Sequence, residues 1–286
     1  MKSLKLFCGL VITGFSAVSI LGCGSYGGGA GVVPEVSFIA AGGAEEASTE
    51  SAADATAELP VGSLKGRVVL SGGASSLPLL IAKGSAVKDA EVCAAEDVPD
   101  ERLVLGPDNS VANVFVYLAK APKGAKPAVV PADPFLFDQK TCRFLPHATI
   151  IPVKQTVKVL SNDSVAHNTH TFPNKNAPTN STVNPMDRDG LVSFAYTKAE
   201  AVPLAVKCDF HAWMSAWHLP LDHSFGAVSN STGEFEIADI PAGKHSFVVW
   251  HEAANGGFVQ RKLEVEIKAG ETAEVSVDYP ASLLKL

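Results

Sequence analysis

Cys208, His211 and Met214 fall within seven residues, in the run Val206-Lys-Cys-Asp-Phe-His-Ala-Trp-Met214. A thiolate, an imidazole and a thioether grouped so tightly form a set that copper uses and almost no other biological metal does. Two His and one Cys around a plane, with a long axial Met, is the coordination of electron-transferring copper. That set needs a second imidazole. His167, in Ser161-Asn-Asp-Ser-Val-Ala-His-Asn-Thr-His170, is placed to supply it. Leu204–Lys207 reads as a strand that delivers Cys208, and the residues after it turn back carrying His211 and Met214.

The elements around these loops read as β structure. Short β-branched or aromatic runs alternate with Gly, Pro, Asn and Asp. They predict strands at Leu64–Leu70, Val111–Leu118, Thr156–Leu160, Leu191–Tyr196, Leu204–Lys207, Glu234–Ile237, His245–Trp250, Gln260–Ile267 and Ala273–Val277. No segment carries a long helical apolar stripe, although Ala94–Asp100 and Ala199–Glu200 allow a helical turn. The expected class is all-β, built as sandwiches. A chain of 286 residues, 47% hydrophobic, can fill one large β core or two smaller ones. The net charge of −7 comes without basic runs, which argues against a nucleic-acid partner.

The first residues read as a targeting segment. Lys2 and Lys5 precede an apolar stretch, Leu6 to Leu21, that is short for a membrane span. It ends Ile20-Leu21-Gly22-Cys23, which resembles the lipobox of bacterial lipoproteins; an ordinary secretory peptide is the alternative. The resemblance implies removal of residues 1–22, a lipid on Cys23 as the sole membrane attachment, and a place in the bacterial cell envelope, on the periplasmic side of a membrane or the cell surface. Residues 23–61, rich in Gly, Ala, Ser, Thr and Glu, read as a flexible tether. Of five cysteines, Cys8 then leaves with the leader and Cys23 carries lipid. In an oxidising compartment Cys93 and Cys142 are the natural disulfide. Cys208 is the odd thiol left over, and metal ligation accounts for it.

Two kinds of sandwich share the chain. Ser231 to Trp250, with a Gly turn, an aromatic strand and then Pro241-Ala-Gly243, resembles the carboxypeptidase regulatory-like (transthyretin-like) domains. Leu64–Leu70 and Asn113–Leu118 resemble other strands of that family. Residues 62–133 and 224–286 would then form one sandwich, with 134–223 inserted; a plain tandem order is the other arrangement.

The segments around His167 and Cys208 resemble the cupredoxins, most closely the amicyanin and plastocyanin branch, over Thr141 to Asp222. The features carrying this are His167-Asn168, the short Cys-x₂-His-x₂-Met loop, and His170 three residues after the first ligand position. The resemblance implies a Greek-key β-sandwich holding one mononuclear type 1 copper through His167, Cys208, His211 and Met214. Asn168 would tie the two ligand loops together. It also implies docking at an end where His211 reaches the surface.

Other readings stay open. Cys208, His211 and Met214 can be ordinary buried residues, or Cys208 and His211 can join His218 and His223 around zinc. A binuclear copper site lacks its second bridging cysteine, and a multicopper oxidase lacks its His-x-His pairs. His147, His223 and His251 could meet as a second metal site or simply lie at strand ends. Trp213 and Trp217, beside Met214, could shield a metal or pack in the core. No nucleophile elbow or phosphate-binding loop is present. The expected function is a lipid-anchored one-electron carrier serving redox partner proteins, without catalysis of its own. Copper storage or delivery, or a surface-binding module with a stabilising metal, are the alternatives.

Overall fold

The computed structural model describes residues 59–73 and 75–286. The expected leader, the lipidation position Cys23 and nearly all of the tether lie outside the described residues. The expected all-β class is what the chain adopts. Among the described residues, sixteen strands follow one another. The described residues begin with β1 (Val61–Ser71), pass one helical turn α1 (Ala90–Cys93), and reach β2 (Phe115–Leu118). Next come β3 (Phe135–Lys140), β4 (Arg143–Leu145), β5 (Ala148–Pro152) and β6 (Thr156–Val159). Then follow β7 (His167–Phe172), β8 (Asn180–Val183), β9 (Val192–Ala195), β10 (Leu204–Lys207) and β11 (Ser215–Leu221). The last are β12 (Gly226–Val228), β13 (Glu234–Pro241), β14 (Gly243–Trp250), β15 (Phe258–Ile267) and β16 (Thr272–Pro280).

These strands form four sheets in two facing pairs. One pair has orders β13-β1-β16 and β12-β2-β14-β15; the other has β5-β11-β10-β7-β8 and β4-β3-β6-β9. The second pair thus draws all its strands from between β2 and β12. Alternation explains the first core: Leu64, Val68 and Leu70 of β1, with Val277 and Tyr279 of the adjacent β16, pack with Phe247 and Val249 of β14 from the other sheet. The second core packs Phe137, Phe144, Val157, Val159, Tyr196, Leu204, Val206, Cys208 and Met214. β2 is buried along its whole length because its two faces serve different cores. Val116 and Leu118 point into the first, while Phe115 and Tyr117 join Leu219, Leu221 and Trp250 where the sandwiches meet.

Two local expectations are corrected. The strand expected from Val111 starts at Phe115, because Asn113 takes a left-handed φ of 63° that breaks extended backbone. The helical turn lies at Ala90–Cys93, ahead of Ala94–Asp100, and Ala199–Glu200 is loop.

One connection leaves its own sandwich. Between β1 and β2, residues 80–98 close into a loop whose ends are tied by Val98 N–H to Ile81 O (2.8 Å) and Leu80 N–H to Val98 O (2.9 Å). This strap lies against the second sandwich. Trp213 packs against the strap's own cluster of Ile81, Ala94 and Val98, and Cys93 forms a disulfide with Cys142 in the β3–β4 turn.

Candidate metal centre

β10 ends by presenting Cys208 inward, in phase with Leu204 and Val206, and the chain reverses at once: the Cys208 amide donates to Met214 O (3.3 Å) and the Met214 amide to His211 O (2.9 Å). Cys208 and Met214 are 2% exposed and His211 fully buried. From the neighbouring strand, β7 turns His167 and Thr169 to the same interior and Asn168 and His170 to the other face, as a two-residue period requires. Thr169 Oγ1 accepts from Gln139 Nε2 across the core (3.0 Å). On the outer face, Asn168 spans the two segments. Its Oδ1 accepts from the Asp209 amide (2.6 Å) and its Nδ2 donates to the Asp209 carboxylate (2.9 Å), which His170 Nδ1 also meets at 3.1 Å.

His167, Cys208 and His211 offer ligand atoms that all lie within 4.8 Å of one another. His167 Nδ1 and His211 Nδ1 are 3.0 Å apart, and Cys208 Sγ is 3.8 Å from His211 Nδ1. Around one ion with bonds of roughly 2.0 Å to nitrogen and 2.3 Å to sulfur, donor separations of this size follow from the geometry. The far nitrogens are also committed. His167 Nε2 lies 2.8 Å from Asp163 Oδ2, and His211 Nε2 lies 2.9 Å from Asp89 Oδ2. A carboxylate only accepts, so each Nε2 carries the hydrogen and each Nδ1 keeps its lone pair. Two lone pairs therefore converge on one buried point beside a thiol, an arrangement that calls for a cation between them. The residues fit a metal ion bound through two imidazoles and a sulfur, with Met214 packed beside them.

In the metal-free state, where a proton on Nδ1 can stand in for the metal, the electrostatics prepare the sulfur for one. Burial pushes the Cys208 thiol up, but contacts from His167 and His211 and the amides of Asn168 and His211 outweigh it, bringing it down to about 6. The thiolate, the form that binds metals, is then the neutral-pH species. Burial disfavours charge on His167 too, yet Asp163 and Cys208 raise its pKa. Asp163 is itself held below the usual carboxylate range: burial opposes this, and the bonds from His167, Cys142 and Thr141 overcome it.

Asp163 also builds the neighbouring turn. Thr141 and Cys142 both have φ of 51°, the backbone of a two-residue hairpin that ordinarily takes Asn or Gly. The Asp163 carboxylate accepts from both amides, at 2.6 and 2.8 Å, which offsets the strain and fixes the disulfide end beside His167.

Several expectations need correction. His211 does not reach the surface: the strap covers its outer edge with Asp89, and Lys88 Nζ lies 3.5 Å from Phe210 O and 5.1 Å from the Phe210 ring centre. His218 and His223 do not join Cys208 and His211. His218 Nδ1 meets Tyr196 OH at 3.0 Å in the core, where burial lowers its pKa to about 3, and His223 stacks on Phe225. His147, His223 and His251 form no ligand cluster among the described residues. His147 contacts Glu252, while His251 Nδ1 faces Tyr279 OH at 3.3 Å. The two tryptophans separate: Trp213 lies against the His211 ring and donates to Cys142 O (3.2 Å), whereas Trp217 packs on Trp250 where the sandwiches meet. Sequence reasoning missed Asp163 and Asp89. Asp163 was discoverable four residues before His167; the only pointer to Asp89 was Cys93, four residues after it.

No protein-family model matches the chain, and no curated relative matches it. Among solved structures, part of it is similar to a Cu-containing nitrite reductase (NirK) from Thermus scotoductus SA-01, at 19% identity and a TM-score of 0.28. That match covers 36% of this chain and only 27% of the reductase. A purple cupredoxin from Nitrosopumilus maritimus matches at 20% identity and TM-score 0.25, over 30% of this chain and 99% of that one. Amicyanin from Paracoccus versutus matches at 16% and 0.26, over 37% and 97%. Likenesses this slight carry no argument about chemistry, which rests on the centre itself.

Proposed function

We propose that the chain is a mononuclear copper protein of cupredoxin type, working as a one-electron carrier, with His167, Cys208 and His211 as strong ligands and Met214 as the axial one. The observation that carries this is the convergence of two Nδ1 lone pairs and a low-pKa thiol on one buried point, each far nitrogen held by a carboxylate. A bound copper would supply the Cu(II)/Cu(I) couple. The protein's own part is to exclude water, fix both imidazoles and keep the sulfur as thiolate. A soft thiolate with a thioether suits Cu(I) while two imidazoles suit Cu(II), so little would have to move between the states. Zinc fits less well, since a thioether is not among its usual ligands.

Copper storage or delivery is the second reading, favoured by one observation: the strap buries the His211 edge. Voltammetry and electron self-exchange distinguish the two. A reversible one-electron couple with fast exchange supports the carrier, whereas an irreversible, very negative couple with slow exchange supports storage. We further propose export with a lipid on Cys23, an envelope location and a redox protein as partner, with no role for nucleic acid. The outer sandwich, 62–133 with 224–286, would be a transthyretin-like module around the copper-binding 134–223. Labelling with a fatty-acid analogue, lost in Cys23→Ala, tests the anchor.

A further inference from the structure

We infer that Asp89 is a positioning residue for His211: the strap exists to bring one carboxylate to the outer nitrogen of that ligand and to cover its edge. This rests on the copper reading for its redox consequence, though not for its geometry. Asp89 stands at the N-cap of α1, where an Asp ordinarily bonds the helix's free amides. It makes no such bond. Its backbone is instead left-handed, φ 53° and ψ 43°, a conformation that Asp tolerates better than most residues with a Cβ. Its carboxylate faces His211 Nε2 at 2.9 Å, across 122 residues of sequence.

Three further contacts hold it there. Cys93, at the end of α1, is bonded to Cys142, and both sulfurs lie within 4.8 Å of a His211 ring nitrogen. Trp213 packs between the strap and the His211 ring. Lys88 brackets the carboxylate at 3.9 Å and leaves it about a third exposed. Such a partner fixes the imidazole's tautomer and orientation and raises its basicity toward a metal. Its negative charge favours the higher oxidation state. The covered edge also leaves His211 without the solvent contact through which a partner would meet it.

The experiment compares wild type with Asp89→Asn and Asp89→Ala in the full chain with its disulfide intact, recording two quantities. In the metal-free protein, ¹⁵N-resolved imidazole NMR reads the His211 tautomer. Wild type and Asp89→Asn, which keeps an acceptor oxygen, should show the hydrogen on Nε2; Asp89→Ala should show a mixture. In the copper form, both variants should raise the midpoint potential by a shift of roughly tenfold in the Cu(II)-to-Cu(I) affinity ratio, about 59 mV for one electron. An unchanged tautomer in Asp89→Ala, or an unchanged potential in both variants, would overturn the inference and leave the strap as packing alone. If wild type forms no copper thiolate centre, the copper reading fails by itself, and the tautomer result still decides the role of Asp89.

Discussion

His167 and His211 present the same nitrogen to the same point, yet the carboxylates behind them are supplied in opposite ways. Asp163 is local. It sits four residues before His167, is nearly buried, and also caps the Thr141–Cys142 turn. Asp89 is remote, arriving on a strap from the other sandwich, and is a third exposed. One side of the centre is thus integral to the sandwich core, and the other is a cover fastened by a disulfide. The inner half should resist change as the core does, while the outer half should be separable from the fold.

The sharpest way to break that contrast is to cut the fastening. Replacing Cys93 and Cys142 by serine should cost about 2–5 kcal/mol of unfolding free energy, measured by denaturant titration. Amide exchange should quicken first in residues 80–98, with β7 and β10 staying protected. Equal acceleration on both sides would contradict the division.

Next in size is Asp163→Ala. It strips a buried carboxylate from one imidazole and two strained amides, and should cost about 2–3 kcal/mol. Asp89→Ala should cost under about 1 kcal/mol, because its pair is partly solvated. The pH dependence should be equally lopsided. The folded pKa of Asp163 lies below its unfolded value, so its contribution is present above the ordinary carboxylate pKa. It is lost as pH falls through the depressed folded value. Acid unfolding curves of Asp163→Asn should flatten in that window.

An effect of similar size is expected where the sandwiches meet. Burial disfavours charge on His147, but Glu252, with help from Glu101, raises its pKa. A raised folded pKa gives stability that is full below the unfolded His value and lost as pH rises through the folded one. Glu252→Gln should remove that alkaline slope, at a cost on the order of 1 kcal/mol. It should leave the copper centre's spectrum untouched, which separates the junction from both halves of the site.

The sequence makes the ligand residues legible and hides the carboxylates behind them, for physical reasons. Cys208, His211 and Met214 lie in one loop after a strand whose apolar period is plain, and Leu204–Lys207 is the strand observed. β7 was not anticipated because its buried positions are His167, Asn168, Thr169 and Thr171, polar groups that lack the apolar signal. The β3–β4 hairpin was hidden because Thr141-Cys142 has no turn residue, Asp163 standing in for one. β11 carries His218 and Pro220 within a buried strand, which obscured its pattern. Asp89 belongs to no motif. Only the pairing of Cys93 with Cys142 implied that its neighbourhood lies near the β3–β4 turn.

The central claim is that His167, Cys208 and His211 hold one copper through a thiolate bond. The visible absorption spectrum of the Cu(II)-loaded chain, recorded beside Cys208→Ser and with metal content measured, tests it most directly. One copper per chain, with an intense thiolate-to-copper band that disappears in Cys208→Ser, is the predicted result. A colourless wild type that takes up zinc in preference, or a band that survives in Cys208→Ser, would contradict it.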